Sequence, residues 1–96
     1  MMTFIARMKV KPGKEQEFER LALKLTEAVH ANEPETLKYE FFRLTEEPLG
    51  YAVFEQFSSE DAEEAHRKTP YFNEIAPPLV ECLDGPYVRE YLDPLG

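Results

Sequence analysis

The sequence has few of the residues that form cofactor loops, disulfides or metal centres. Its four glycines lack the spacing of a dinucleotide or phosphate loop. The single cysteine, Cys82, excludes an internal disulfide, and the two histidines, His30 and His66, give no metal-ligand spacing. The sequence therefore shows no motif that would bind flavin, nicotinamide or a metal ion. We expect no cofactor, so any reaction would depend on side chains and on the reactivity of the substrate.

Positive charge and long apolar runs are also scarce. Lys and Arg total 11 against 19 Asp and Glu, and the formal net charge of −8 disfavours binding to nucleic acid or to an anionic membrane surface. No run approaches the roughly 18 apolar residues of a transmembrane helix. The opening "MMTFIARMKV" lacks the apolar run of a signal peptide. We therefore expect a cytoplasmic protein with neither nucleic-acid nor membrane partners.

The residues that are present suit one α+β domain spanning residues 1–96, since 43% are hydrophobic and 12% aromatic. Alternation predicts strands over residues 3–11, 36–44, 51–57 and 87–92. A helical period predicts a helix over 14–31. A capping-box pattern, Ser58 with Asp61, predicts a second helix that runs to about Lys68. A short helix follows from Pro70, which Pro77 and Pro78 should limit or bend.

The resulting order, β-α-β-β-α-β, is that of the ferredoxin-like fold, a four-stranded antiparallel sheet with helices on one face. Strands 36–44 and 51–57 carry apolar groups on both of their faces. Helices on one side of the sheet would leave several of those groups exposed, and such patches usually mark an interface. We therefore expect a homodimer formed through the sheet face.

The most suggestive candidate for chemistry is His66, on the small-residue side of its helix. Glu55 lies on a strand face that is otherwise apolar, where a carboxylate is costly unless it is paired. We predict that Glu55 pairs with His66 and fixes its tautomer, which would make His66 a general base or acid. The alternative is a structural histidine beside a solvated glutamate.

An aromatic set could line a cavity for a flat ligand, although core packing alone explains most of its members. The tyrosines are the stronger candidates, since a buried hydroxyl needs a partner. His30 suits the C-terminal end of the first helix. The aromatic set comprises Tyr39, Phe41, Tyr51, Phe57, Tyr71 and Phe72.

Four segments in this order, "KPGKEQEFE", "EPETLKYEF", "FEQFSSEDAEEAH" and "TPYF", resemble the antibiotic biosynthesis monooxygenase (ABM) family. The likeness covers the chain from about Phe4 to Leu92. It implies ferredoxin-like dimers whose sheets pack face to face into an α+β barrel. Some members of this family oxygenate phenols, quinols or anthrones with O2 and without flavin or metal. They deprotonate the substrate to an anion that passes an electron directly to O2.

Other branches of the family imply other activities. The haem-degrading branch uses an Asn, a Trp and a His at positions that are here Ala6, His66 and Ala76, so haem degradation is not expected. Another branch isomerises a phosphorylated signal compound, and "HRKTPYF" and "LDGPYVREYL" are similar to it. Phosphate would require cations near the pocket, for which Arg43, Arg67 and Lys68 are the obvious supply.

The leading hypothesis is a cofactor-independent monooxygenase that uses O2 on a small quinol or phenol-like substrate. His66 would be the base and Glu55 would orient it. The expected substrate-binding residues are Tyr39, Tyr51, Phe57, Tyr71, Phe72 and Arg43. The alternatives are an isomerase of a small phosphorylated carbonyl compound and a non-catalytic dimer that binds a small molecule.

Overall fold

A computed structural model describes all residues, 1–96, and confirms the predicted α+β, ferredoxin-like architecture. Seven elements follow one another along the chain, and the second predicted helical region is divided into two helices. The elements are β1 (Met2–Lys9), α1 (Glu15–Asn32), β2 (Thr36–Arg43), β3 (Gly50–Phe57), α2 (Glu60–Arg67), α3 (Pro70–Glu81) and β4 (Val88–Tyr91).

The four strands form one antiparallel sheet in the order β2-β3-β1-β4. Two turn glycines adopt the left-handed conformation that favours glycine, with φ of 86° at Gly13 and 100° at Gly85. Gly13 lies between β1 and α1, and Gly85 between α3 and β4. These are the "KPGK" and "DGP" turns that the sequence indicates.

One face of the sheet forms the core with the helices. Alternate residues of β1 are buried, and Ala6 and Met8 join the buried stripe of α1 in a single cluster. The α1 stripe is Phe18, Leu21, Ala22, Leu25 and Val29. The opposite face carries no helix. It leaves Phe42 and Val88 exposed, with Ile5 and Phe54 half-buried.

Two local predictions about the second helical region are corrected. Ser59, not Ser58, caps α2, since the backbone of Ser59 is extended and its Oγ accepts a hydrogen bond from the Ala62 N–H at 3.1 Å. Ser58 instead donates its backbone N–H to the Glu35 carbonyl, which ties it to the start of β2. Ser58 is therefore held one residue outside the helix.

The two prolines do not end α3, which continues through them to Glu81. Thr69 caps this helix by accepting from the Phe72 N–H, and Pro70 takes the first helical position, where no N–H is needed. Buried Ile75 and Leu79 hold α3 in the core. This burial offsets the backbone hydrogen bonds that prolines inside a helix cannot donate. None of the three helices is both long and apolar enough to cross a membrane.

Candidate functional site

A cavity of about 70 Å³ lies between the core face of the sheet and the helices α2 and α3. It brings together buried titratable side chains from several elements. The residues that line it are Met8, Tyr39, Val53, Glu55, His66, Arg67, Phe72, Ala76, Tyr87 and Arg89. Roomier grooves lie on the surface. In one of about 140 Å³ beside α1, the polar side chains Glu19, Arg43 and Tyr51 bond to one another. Another, of about 340 Å³, lies on the side of His66 where Glu33 and Tyr71 bond. The smaller cavity is the candidate site because its buried polar groups are left without partners.

His66 lies on the inward side of α2, one helical turn after Glu63, and both side chains are buried. Its imidazole is enclosed by the rings of Phe72, Tyr39 and Phe57, at centroid distances of 4.9, 5.1 and 5.4 Å. Only 2% of His66 is exposed. The ring is therefore fixed by packing on three sides.

The carboxylate that holds His66 is Glu33, not Glu55. His66 Nδ1 lies 3.0 Å from Glu33 Oε1 and 3.1 Å from Oε2, and the Tyr71 hydroxyl donates to Oε2. Glu33 is the C-cap of α1, immediately before Pro34, so its backbone is fixed at the helix terminus. The predicted Glu55–His66 hydrogen bond is not formed, since neither ring nitrogen of His66 bonds to Glu55 and Nδ1 bonds to Glu33 instead.

This arrangement sets the tautomer of His66. A carboxylate can only accept hydrogen bonds, so Nδ1 carries the hydrogen and, in the neutral imidazole, Nε2 has the lone pair. Nε2 has no hydrogen-bond partner in the chain, and no fully enclosed side-chain polar atom lacks one. Nε2 must therefore reach open space. His66 lines both this cavity and a more open groove of about 340 Å³ that Glu33 and Tyr71 also line. Because Nδ1 is directed to Glu33, we infer that Nε2 faces the cavity. A histidine held by a carboxylate, with a free Nε2, has the geometry of a general base.

Glu55 lies on the β3 face that lines the same cavity and is 8% exposed. Burial raises the pKa of its carboxyl to about 8, with Glu63 and Glu33 raising it further and Arg89 opposing them. No hydrogen bond of the chain ends on this carboxyl. Glu55 is therefore mostly a neutral carboxylic acid at pH 7.

Tyr39 is the cross-strand partner of Glu55, on β2. It is 3% exposed, and its hydroxyl makes no hydrogen bond within the chain. Burial, with the nearby carboxyls of Glu55 and Glu33, raises the pKa of the Tyr39 phenol well above its ordinary value. The phenol therefore remains a hydrogen-bond donor throughout the neutral range.

The structure divides the predicted site residues into two groups. Tyr39 and Phe72 line the cavity with His66 and Glu55. The other four do not: Phe57 packs behind His66, Tyr71 bonds to Glu33 on the far side of the ring, and Tyr51 and Arg43 bond to Glu19 beside α1. The aromatic set therefore does not line one cavity, because its members are distributed along β2 and β3 and over both sides of the His66 ring at the start of α3.

Sequence reasoning missed Glu33, Arg89 and Tyr87 at this site. Arg89 lies over the ring of Phe4, 4.2 Å from its centroid, and contacts Glu63, which also bonds Arg67 at 2.8 Å. In the sequence, only the fixed position of Glu33 between the end of a helix and a proline could have identified it as a site residue. No group of three His, Cys, Asp or Glu side chains is placed to hold a metal ion.

Comparison with known proteins extends these observations. The profile of the family described as "antibiotic biosynthesis monooxygenase" matches residues 1–77. A candidate antibiotic biosynthesis monooxygenase from Caulobacter crescentus CB15 is similar at 37% identity, with a TM-score of 0.92 over 99% of this chain and 90% of that one. A conserved protein from Methanosarcina mazei Go1 is 30% identical, with a TM-score of 0.86 over 95% and 89%. Comparison with the curated proteins gave no match.

Proposed function

The chain belongs to the antibiotic biosynthesis monooxygenase family, and we propose that it is a cofactor-independent monooxygenase of a small quinol or phenol-like substrate. Family membership supports a monooxygenase-like role in general terms. The observation that supports the more specific proposal is the buried Glu33–His66 pair, which leaves Nε2 of a cavity-lining histidine without a partner in the chain. A base in such a place suits the removal of a proton from a phenolic hydroxyl.

The proposed reaction starts when His66 Nε2 takes the proton of a substrate hydroxyl. Glu33 stabilises the imidazolium that forms, since its carboxylate already accepts from Nδ1. The electron-rich substrate anion then passes electrons to O2. For a quinol, the products are a hydroxyquinone and one water, so the substrate supplies all four electrons and no external reductant is required.

The volume of the cavity bears on the size of the substrate. A cavity of roughly 150 Å³ is known to hold benzene, and this one measures about 70 Å³. Admission of a ring therefore requires movement of side chains at its rim, for which the exposed Tyr87, which makes no hydrogen bond in the chain, is the best placed. The small volume also favours a second candidate, a non-catalytic module that binds a smaller molecule.

The isomerase alternative would require cations for a phosphate group. Arg43 does not line the cavity and is bonded to Glu19. Arg67 and Arg89 do line it, but both contact the buried carboxylate of Glu63, at 2.8 and 3.4 Å. Their charge is therefore partly neutralised before any ligand arrives, which favours an uncharged aromatic substrate.

A homodimer through the open sheet face is part of the proposal. On that face, Ile5, Phe54, Phe42, Ala52 and Val88 are adjacent through the strand register. Two of these side chains, Phe42 and Val88, are 49% and 69% exposed in the isolated chain. A second copy that covers this patch removes apolar surface from water. Each Å² removed contributes about 25 cal/mol of favourable free energy to the association.

The direct test is an oxygen-electrode screen of the chelator-treated protein against a panel of quinols and phenols. We expect O2 uptake matched by loss of quinol, and a loss of about 10²-fold or more in kcat for His66→Ala. His30→Ala is the matched control, because His30 is an exposed histidine outside the cavity whose ring hydrogen-bonds only to the backbone carbonyl of Tyr39. Conversion of a substrate without O2 uptake would reject the oxygenase and favour the isomerase. Binding without conversion would favour the non-catalytic module.

A further inference from the structure

Two buried polar side chains at the cavity have no partner in the chain. Tyr39 and Glu55 face each other across β2 and β3, and cross-strand partners have Cβ atoms about 5 Å apart. They are 3% and 8% exposed, and both line the cavity with His66. Neither the phenol hydroxyl nor the carboxyl makes a hydrogen bond. Because every enclosed side-chain polar atom has a partner, these two groups must reach the cavity itself.

We propose that the Tyr39 hydroxyl and the Glu55 carboxylic acid are paired donors that bind the oxyanion formed when His66 deprotonates the substrate. The site would thus select substrates whose proton loss places negative charge on an oxygen atom, which are phenols, quinols and enolisable ketones. This inference rests on the proposed function. It gives Glu55 a role different from the one expected from sequence, in which Glu55 orients His66.

The charged groups around Glu55 determine whether its carboxyl acts as a hydrogen-bond donor or as a base. Glu63 on α2 and Glu33 before β2 both disfavour ionisation of Glu55, and Arg89 on β4 favours it. His66, Tyr39, Tyr87 and Arg67 complete the titratable and charged groups at the cavity. Burial outweighs Arg89, which is shared with Glu63, so the proton stays on Glu55 at neutral pH. An ionised Glu55 would repel a phenolate, whereas the neutral acid donates to it.

The proton count is consistent with this assignment. One proton leaves the substrate hydroxyl for His66 Nε2, and the electron pair of the broken O–H bond remains on the substrate oxygen. Tyr39 and Glu55 keep their own protons and share them with that oxygen as hydrogen bonds. A tyrosine beside a protonated carboxylic acid is an established oxyanion site in enzymes that form enolates.

The test is anaerobic titration with 4-nitrophenol at pH 6.5, in which the visible absorbance of the phenolate reports the ionised form bound. We expect the wild-type protein to bind the phenolate. Tyr39→Phe and Glu55→Leu should each weaken its binding roughly 10- to 100-fold, since hydrogen bonds to charged groups are the stronger class. Glu55→Gln keeps an N–H donor and should stay within about fivefold of wild type.

Tyr51→Phe is the control, because it removes a tyrosine hydroxyl that lies beside α1 and outside the cavity. As the pH rises through about 8, phenolate binding should weaken more steeply for the wild type than for Glu55→Gln, since only the wild type also loses the proton of Glu55. Absence of bound phenolate, or equal binding by Glu55→Leu and wild type, would overturn the inference. Because no O2 is present, phenolate binding without later O2 uptake would reject only the monooxygenase proposal.

Discussion

The buried carboxyl of Glu55 should make the stability of this protein fall as the pH rises. The pKa of Glu55 is raised from 4.5 to about 8 in the folded chain, mainly by burial. Between these values the folded state binds more protons than the unfolded state, so the free energy of unfolding decreases with increasing pH. The contribution of the Glu55 proton to the free energy of unfolding is fully present below about pH 4.5 and fully lost above about pH 8.

The size of this effect follows from the difference between the two pKa values. At about 1.4 kcal/mol for each pKa unit, the full loss is about 5 kcal/mol, and about 3 kcal/mol of it has occurred by pH 7. Domains of this size are commonly stable by about 5 to 15 kcal/mol in total. Glu55 alone would therefore remove a large fraction of the stability at alkaline pH.

Urea unfolding between pH 5 and 9 measures this directly. Glu55→Gln has no titrating group at this position, so it should match wild type within about 1 kcal/mol at pH 5 and exceed it by a few kcal/mol at pH 9. Glu46→Gln is the control, because it removes an exposed glutamate and should leave the pH dependence as in wild type. Parallel curves for wild type and Glu55→Gln would refute the reasoning.

Two further predictions concern assembly and local structure. Phe54→Asp on the open sheet face should convert a dimer to a monomer in sedimentation equilibrium, whereas Leu23→Asp, on exposed α1 surface, should not. A wild-type monomer, or a dimer that persists in Phe54→Asp, would contradict the proposed interface. Ser59→Ala should lower the free energy of unfolding by about 1 kcal/mol through loss of the α2 cap. Ser58→Ala should cost less than half of that, and the reverse order in urea unfolding would show that the cap is misassigned.

Most of the fold could be predicted because its signals are local. The alternation in β1 and the helical stripe of α1 place their buried residues correctly, and turn glycines mark two of the chain reversals. The capping residue of α2 was misplaced by one position, because the capping-box pattern requires an acid three residues later and therefore favours Ser58, which has Asp61 there, over Ser59, which has Ala62. In the structure the backbone of Ser58 is bonded to the Glu35 carbonyl, and that bond depends on the tertiary fold.

The candidate site was predicted only in part, for a related reason. The inward position of His66 and the cost of burying Glu55 are properties of single elements, so both could be located. The pairing of His66 with Glu33 joins residues 33 positions apart and depends on how the end of α1 lies against α2. Likewise, Tyr51 and Arg43 lie on the predicted sheet face but too far along their strands to reach the cavity, and they bond to Glu19 instead. Alternation indicates the face of a residue and not its distance from the site.

Chemical rescue tests the assignment of His66 as the base most directly. With a quinol accepted by the wild-type protein, O2 consumption by His66→Ala should fall about 10²-fold or more. Added imidazole should restore a measurable part of that rate, since the cavity left by the missing ring can admit it, and it should leave the wild-type rate unchanged. A His66→Ala variant as active as wild type without imidazole would contradict the account.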